Sequence, residues 1–160
     1  MYLLDTDVLS NLMKRAPAGA LVARVARVPP EDQSTSSVTL GELLYGAHRS
    51  SGTAALLERI EETLLTELPI LPFDAAAARA YGELRAELER RGTPIGDADT
   101  RVASIALSRR LKVVTGNERH FRQVPGLEIE NWLKDQEPQV KASMARKREQ
   151  GNGESLPFCR

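Results

Sequence analysis

Acidic and amide side chains recur at one kind of position in this 160-residue sequence, just after a strand-like run or at the start of the next helix. Asp5 and Asp7 follow Tyr2-Leu3-Leu4, Glu42 follows STSSVT, Asp97 and Asp99 follow TPIG, and Asn117 follows LKVVT. Each has a local explanation. Asp7 and Asp97 suit helix N-caps, Thr39-Leu40-Gly41-Glu42 suits a capping box, and Asn117 suits a turn. Capping, however, does not require these groups to gather at one edge of one sheet. In open α/β sheets the edge beyond the carboxyl ends of parallel strands is where ligands bind. Carboxylates brought together there raise one another's pKa unless a cation lies between them. Mg²⁺ and Mn²⁺ are hard ions that prefer oxygen, and either could activate water for in-line attack on phosphorus. His48 and His120 lack zinc-binding spacing, and Cys159 has no second Cys for a disulfide or a structural zinc site.

These residues depend on a frame of alternating strands and helices. YLLD reads as a short buried strand and VLSNLMKR as the helix after it. A second helix spans 18–28 and stops at Pro29-Pro30. STSSVT reads as a strand, followed by helices over 40–47 and 53–65 that Ser50, Ser51 and Gly52 separate. ELPILPF is a connector or strand. Asp74 caps a long helix with the apolar stripe Ala77, Tyr81, Leu84 and Leu88, closed by Arg90, Arg91 and Gly92. A further helix runs through RVASIALSRR, LKVVT is a strand, and LEIENW supplies the last. Strands alternating with helices predict an α/β fold with a central, mainly parallel sheet flanked by helices.

The length suits one domain with a sizeable core. No apolar run approaches a membrane span, and the N-terminus lacks a secretory signal, so a cytoplasmic location without membrane attachment is expected. The formal net charge of +0 argues against coating nucleic acid by bulk charge. Up to Leu133, however, every Lys or Arg except Lys14 and Lys112 is Arg, the better fork for phosphate oxygens. Beyond Leu133 the chain turns polar and loses its apolar periodicity. We expect a domain over 1–133 and a polar C-terminal tail over 134–160, partly helical around 140–148 or disordered.

The segments LLDTDVLS, SSVTLGELLYGAHRS, PIGDADTRVASIAL, VVTGNERHF and VPGLEIENWL resemble, in this order, the successive motifs of PIN-domain ribonucleases, specifically the VapC toxins of type II toxin–antitoxin pairs. The resemblance covers about residues 1–133 and implies a PIN-like fold in that unit. It further implies a Mg²⁺- or Mn²⁺-dependent endoribonuclease that hydrolyses RNA phosphodiester bonds with a metal-activated water. A VapB-type antitoxin is the implied partner, with a homodimer joined into a larger hetero-oligomer. Carried across by residue, it makes Asp5 the first metal-binding acid and Glu42 the second. The family pattern Ile-Gly-x-x-Asp, followed by two residues and a small apolar pair, selects Asp99 over Asp97. Asn117 falls where members have Asp or Asn, and Thr115 where they have a hydroxyl. Asp7 stands where Asn is commoner, which adds negative charge and leaves both water-mediated metal contact and helix capping open to it. Thr6 is expected to shape the strand-to-helix turn, and Asp97 to cap its helix or hold a water.

Two other readings use the same residues. A haloacid-dehalogenase-like phosphatase would use Asp5 as nucleophile, but it also wants a Lys ahead of the later acids, and 71–96 contains none. A receiver domain wants a late Lys, and Lys112 precedes its strand. A non-catalytic interaction module would not need Glu42 and Asp99.

Overall fold

The computed structural model describes residues 1–66 and 68–134. The tail anticipated over 134–160, with its helical stretch, therefore lies outside the described residues apart from Lys134. The order of elements is β1 (Tyr2–Leu4), α1 (Thr6–Leu12), α2 (Gly19–Val25), β2 (Gln33–Ser36), α3 (Ser37–His48), α4 (Thr53–Ile60) and β3 (Ile70–Leu71). It continues with α5 (Ala75–Arg90), α6 (Asp97–Arg109), β4 (Lys112–Val114), α7 (Glu118–Phe121) and β5 (Ile129–Glu130).

All five strands are parallel, in the order β3-β2-β1-β4-β5. The chain steps outward from β1 to β2 and β3, then returns to the other side of β1 for β4. Such a reversal opens a crevice at the carboxyl ends of the two strands that part company, here β1 and β4. Leu4 is in register with Val114, so Asp5 and Thr115 leave the sheet side by side at that crevice.

Alternation along the strands divides the core in two. Leu3 and Val113 pack with Ala77, Leu84 and Leu88 of α5 and with Val102, Ile105 and Ala106 of α6. Leu4 and Val114 pack on the opposite face with Val8 and Leu9 of α1, Leu21 of α2, Leu43 of α3 and Ile60. Burial on both faces explains the adjacent apolar residues Leu3-Leu4 of β1 and Val113-Val114 of β4. β2 departs from that pattern: Gln33, Ser34, Thr35 and Ser36 are all buried. Their polarity is satisfied, since the Ser34 hydroxyl donates to the Tyr2 carbonyl and Thr35 to the Leu4 carbonyl.

Several local expectations hold. Asp74 caps α5 by accepting from the Ala77 N–H at 3.0 Å, and Gly92, at φ +68°, follows its end. Others are corrected. The segment read as the strand STSSVT becomes helical at Ser37, because Ser36 is the true cap and accepts from the Thr39 N–H at 3.0 Å. Thr39 and Glu42 therefore form no capping box. Glu42 instead projects from the second turn of α3. Asn117 precedes the short α7, an element that the turn reading did not anticipate.

Candidate metal-dependent nuclease site

Asp5 is the N-cap residue of α1, yet its side chain makes no capping bond. The carboxylate is buried and accepts from the Thr115 hydroxyl at 2.8 Å, and that hydroxyl in turn accepts from the Asn117 N–H at 3.0 Å. Desolvation pushes the Asp5 pKa up to about 6, with the charges of Asp7 and Asp99 adding to it. The Thr6 N–H and the Thr115 hydroxyl pull the other way. This acid has been drawn out of water beside two of its own kind.

Asp7 does not cap α1, contrary to expectation; it lies within the first turn. One carboxylate oxygen, Oδ2, accepts from the Gly116 N–H at 2.7 Å, while Oδ1 is buried with no hydrogen-bond partner. Burial raises its pKa, opposed by the backbone N–H groups of Gly116 and Val8. Gly116 is needed for this approach. A Cβ there would lie 2.6 Å from Asp7 Oδ2 and 2.8 Å from Leu133 Cδ1. Gly116→Ala is therefore expected to destabilise the fold by about 1–3 kcal/mol, read from the denaturant midpoint. A variant as stable as the parent would show that Asp7 and Leu133 move aside freely.

Glu42 reaches the same end of the sheet from α3 and accepts from the Thr6 hydroxyl at 2.5 Å. Thr6 thus ties the second acid to the residue after the first, a more specific task than shaping the turn. Asp99 lies in the first turn of α6, where its Oδ2 is 3.4 Å from Asn117 Nδ2 and 2.7 Å from His120 Nδ1. Asn117 Nδ2 is also 3.0 Å from His120 Nδ1. One ring nitrogen cannot accept from the amide and donate to the carboxylate at once, and the shorter contact to a charged acceptor assigns the proton to Nδ1. His120 is the neighbour that sequence reasoning set aside. The available signal was its spacing of three residues from Asn117, the N-cap of α7, which brings the two side chains to one side of the helix start.

Asp97 is placed apart. The N-cap of α6 is Gly96, not Asp97 as anticipated. The Asp97 carboxylate accepts from Tyr81 Oη at 2.5 Å and pairs with Arg85 at 3.3 Å and Arg101 at 2.8 Å. Asp5, Asp7, Asp99, Asn117 and Thr115 are therefore brought together, Glu42 is linked through Thr6, and Asp97 is turned toward α5.

Among the described residues no three His, Cys, Asp or Glu side chains already enclose an ion. The donor chemistry nevertheless fits a hard divalent cation. The oxygens are carboxylate, Asp5 is buried with its charge disfavoured, and Asp7 Oδ1 is buried without a partner. A cation would offset each of these costs.

The chain also matches known proteins. The PIN domain family matches residues 2–127. The tRNA(fMet)-specific endonuclease VapC of Shigella flexneri is 40% identical over 82% of this chain and 97% of its own length. Ribonuclease VapC2 of Rickettsia felis is 32% identical over 84% of this chain and 99% of its own. A DNA-bound VapBC crystal structure from Salmonella typhimurium superposes with a TM-score of 0.76 at 38% identity, over 82% of this chain and 97% of the other. Matching over nearly the full length of these relatives, with the acids gathered where the sheet reverses, places the chain in the PIN-domain family, in its VapC branch.

Proposed function

We propose that this protein is a Mg²⁺- or Mn²⁺-dependent endoribonuclease, the toxin of a VapBC-type pair. The observation that carries this reading is the gathering of Asp5, Asp7 and Asp99 at the sheet's switch point, with Asp5 buried and one carboxylate oxygen of Asp7 unpartnered. Asp5, Glu42 and Asp99 would hold the ion, which when bound supplies Lewis acidity and lowers the pKa of water. The protein's own contribution is preorganisation. Thr115 orients Asp5, Thr6 orients Glu42, and Asn117 and His120 orient Asp99. In the hydrolysis a water oxygen bonds to phosphorus while the bond from phosphorus to a ribose oxygen breaks, and the departing oxygen takes up a proton.

The partner follows from the relatives. Crystal structures of VapBC complexes from Salmonella typhimurium and Rickettsia felis, both bound to DNA, support a VapB-type antitoxin for this chain as well, in a hetero-oligomer; a toxin homodimer within it is what the family resemblance implies. An antitoxin Arg pairing with two of these carboxylates would occupy the place of the ion. Residues 1–133 would form the nuclease unit, with 134–160 appended. No described helix is long and apolar enough to cross a membrane.

The phosphatase reading has no geometric support. It lacks the Lys that it needs ahead of Asp97 and Asp99, and Lys112, the late Lys of the receiver reading, pairs with Glu128 at 2.9 Å at the start of β4, the end of the strand away from the acids. EDTA is expected to abolish cleavage of single-stranded or loop RNA by the purified chain, with Mg²⁺ or Mn²⁺ restoring it. Full activity in chelator would overturn the metal mechanism, and an acyl-phosphate on Asp5 would restore the phosphatase.

A further inference from the structure

Glu42 is not alone on its face of α3. Val38, Gly41, Glu42 and Tyr45 fall at the spacing of side chains that share one side of a helix. They form one wall of an open cleft of about 450 Å³, with Phe73 and Arg101 opposite. Tyr45 is 63% exposed, the most exposed aromatic side chain among the described residues. One turn separates it from Glu42, which puts their Cβ atoms about 5–6 Å apart. Gly41, which lines the same cleft, leaves open space, since a Cβ there would touch nothing within 4 Å.

The other wall carries a guanidinium that is held in place. Arg101 lies two residues beyond Asp99 on α6, with its guanidinium 5.9 Å from the centre of the Phe73 ring and 6.0 Å from that of Tyr81. Asp97 fixes it at 2.8 Å while also pairing with Arg85. Arg85 is paired in turn with Glu89 at 3.1 Å, so the cluster is balanced as a whole, and Arg101 is its member that lines the cleft. Arg49 adds a second cation over the Tyr45 ring at 5.5 Å. An exposed aromatic ring beside a metal-binding acid, facing an arginine, is the combination that holds a single-stranded nucleotide: the base stacks and the phosphate is paired.

We infer that the cleft between Tyr45 and Arg101 is the subsite for an RNA nucleotide flanking the scissile bond, with its base on the Tyr45 ring and its phosphate on Arg101. This rests on the nuclease reading above and deepens it. It also gives a use to Asp97, which would position Arg101 and leave the ion to Asp99.

The test uses the full-length chain carrying Asp99→Asn to prevent cleavage, and a fluorescein-labelled single-stranded oligoribonucleotide read by anisotropy over a range of salt concentrations. Adding Tyr45→Ala is expected to weaken binding by about ten-fold or more, because stacking contributes that much per base. Tyr45→Phe keeps the ring and should bind nearly as the parent. Arg101→Ala should flatten the salt dependence by roughly 0.7 in log–log slope, the loss of one phosphate contact to a single strand. Both positions are exposed, and melting curves check that the variants are folded. Parent-like affinity and slope in Tyr45→Ala and Arg101→Ala would overturn the subsite and leave the nuclease reading intact. Conversion of a dimer to a monomer by either substitution, seen in sedimentation velocity, would make this face a protomer interface and also overturn it. If the unsubstituted chain cleaves no RNA with Mg²⁺ or Mn²⁺, the nuclease reading itself fails and the subsite falls with it.

Discussion

Asp99→Asn is expected to lower RNA cleavage by at least about 100-fold while the protein stays folded, and to remove growth inhibition when expressed without antitoxin. An amide keeps the shape of the side chain but cannot offset a cation's charge, and even the groups around metal ligands matter by about 10–100-fold. Asp97→Asn should retain most activity. The two acids are two residues apart on α6, about 200° around its axis, and they meet different neighbours. Asp99 faces Asn117 and His120, whereas Asp97 faces Tyr81, Arg85 and Arg101. Because the Asp97 ion pairs are exposed, their loss should change stability by no more than about 1 kcal/mol. An inactive Asp97→Asn beside an active Asp99→Asn would require the site to be redrawn around Asp5, Glu42 and Asp97.

In chelator near neutral pH, Asp5→Asn should be more stable than the parent by on the order of 2–3 kcal/mol. The Asp5 pKa is pushed from 3.8 up to about 6, chiefly by burial. Between these values the folded chain binds a proton that the unfolded chain has released. The stability contributed by protonated Asp5 is therefore fully present below 3.8 and lost as pH rises through about 6. Asn, which never ionises, keeps its stability across that window. The advantage should consequently shrink toward zero in acid. Mg²⁺ should reverse the order near neutral pH by stabilising the parent more than the variant, because an ion that binds only the folded state adds to its stability. Chemical denaturation across this pH range, with and without Mg²⁺, reads both effects. Parallel curves for the two proteins would show that the Asp5 anion is already compensated within the protein.

Much of the frame was legible because it depends on local rules. Paired apolar residues in YLLD and LKVVT marked the central strands, since a strand buried on both faces cannot alternate with polar residues. The stripe Ala77, Leu84 and Leu88 marked α5, and Asp74 marked its start. The start of α3 was misplaced because Ser36, Ser37 and Thr39 are all plausible caps. The decision fell to Ser36, whose backbone still belongs to β2. Asp7 and Asp97 likewise have the right residue type for capping but sit inside the first turns of their helices. Capping is a matter of backbone position, and residue type alone shifts it by one or two places.

By itself the sequence determined the class of fold and the acids that could gather, while the preference for Asp99 over Asp97 came from the family resemblance. Tertiary structure alone decided which side chains meet. Thr6 reaches Glu42 because α1 and α3 both leave the same end of the sheet, and His120 reaches Asp99 because α7 starts beyond β4, beside the first turn of α6. Arg101 turns toward Phe73 because Asp97 holds it. Of these contacts only Asp97 with Arg101, four residues apart on α6, has a period to read. Helix and strand periods act over a few residues, whereas the contacts of Thr6 with Glu42, His120 with Asp99 and Arg101 with Phe73 are set by strand order and by the return of the chain from β3 to the far side of β1.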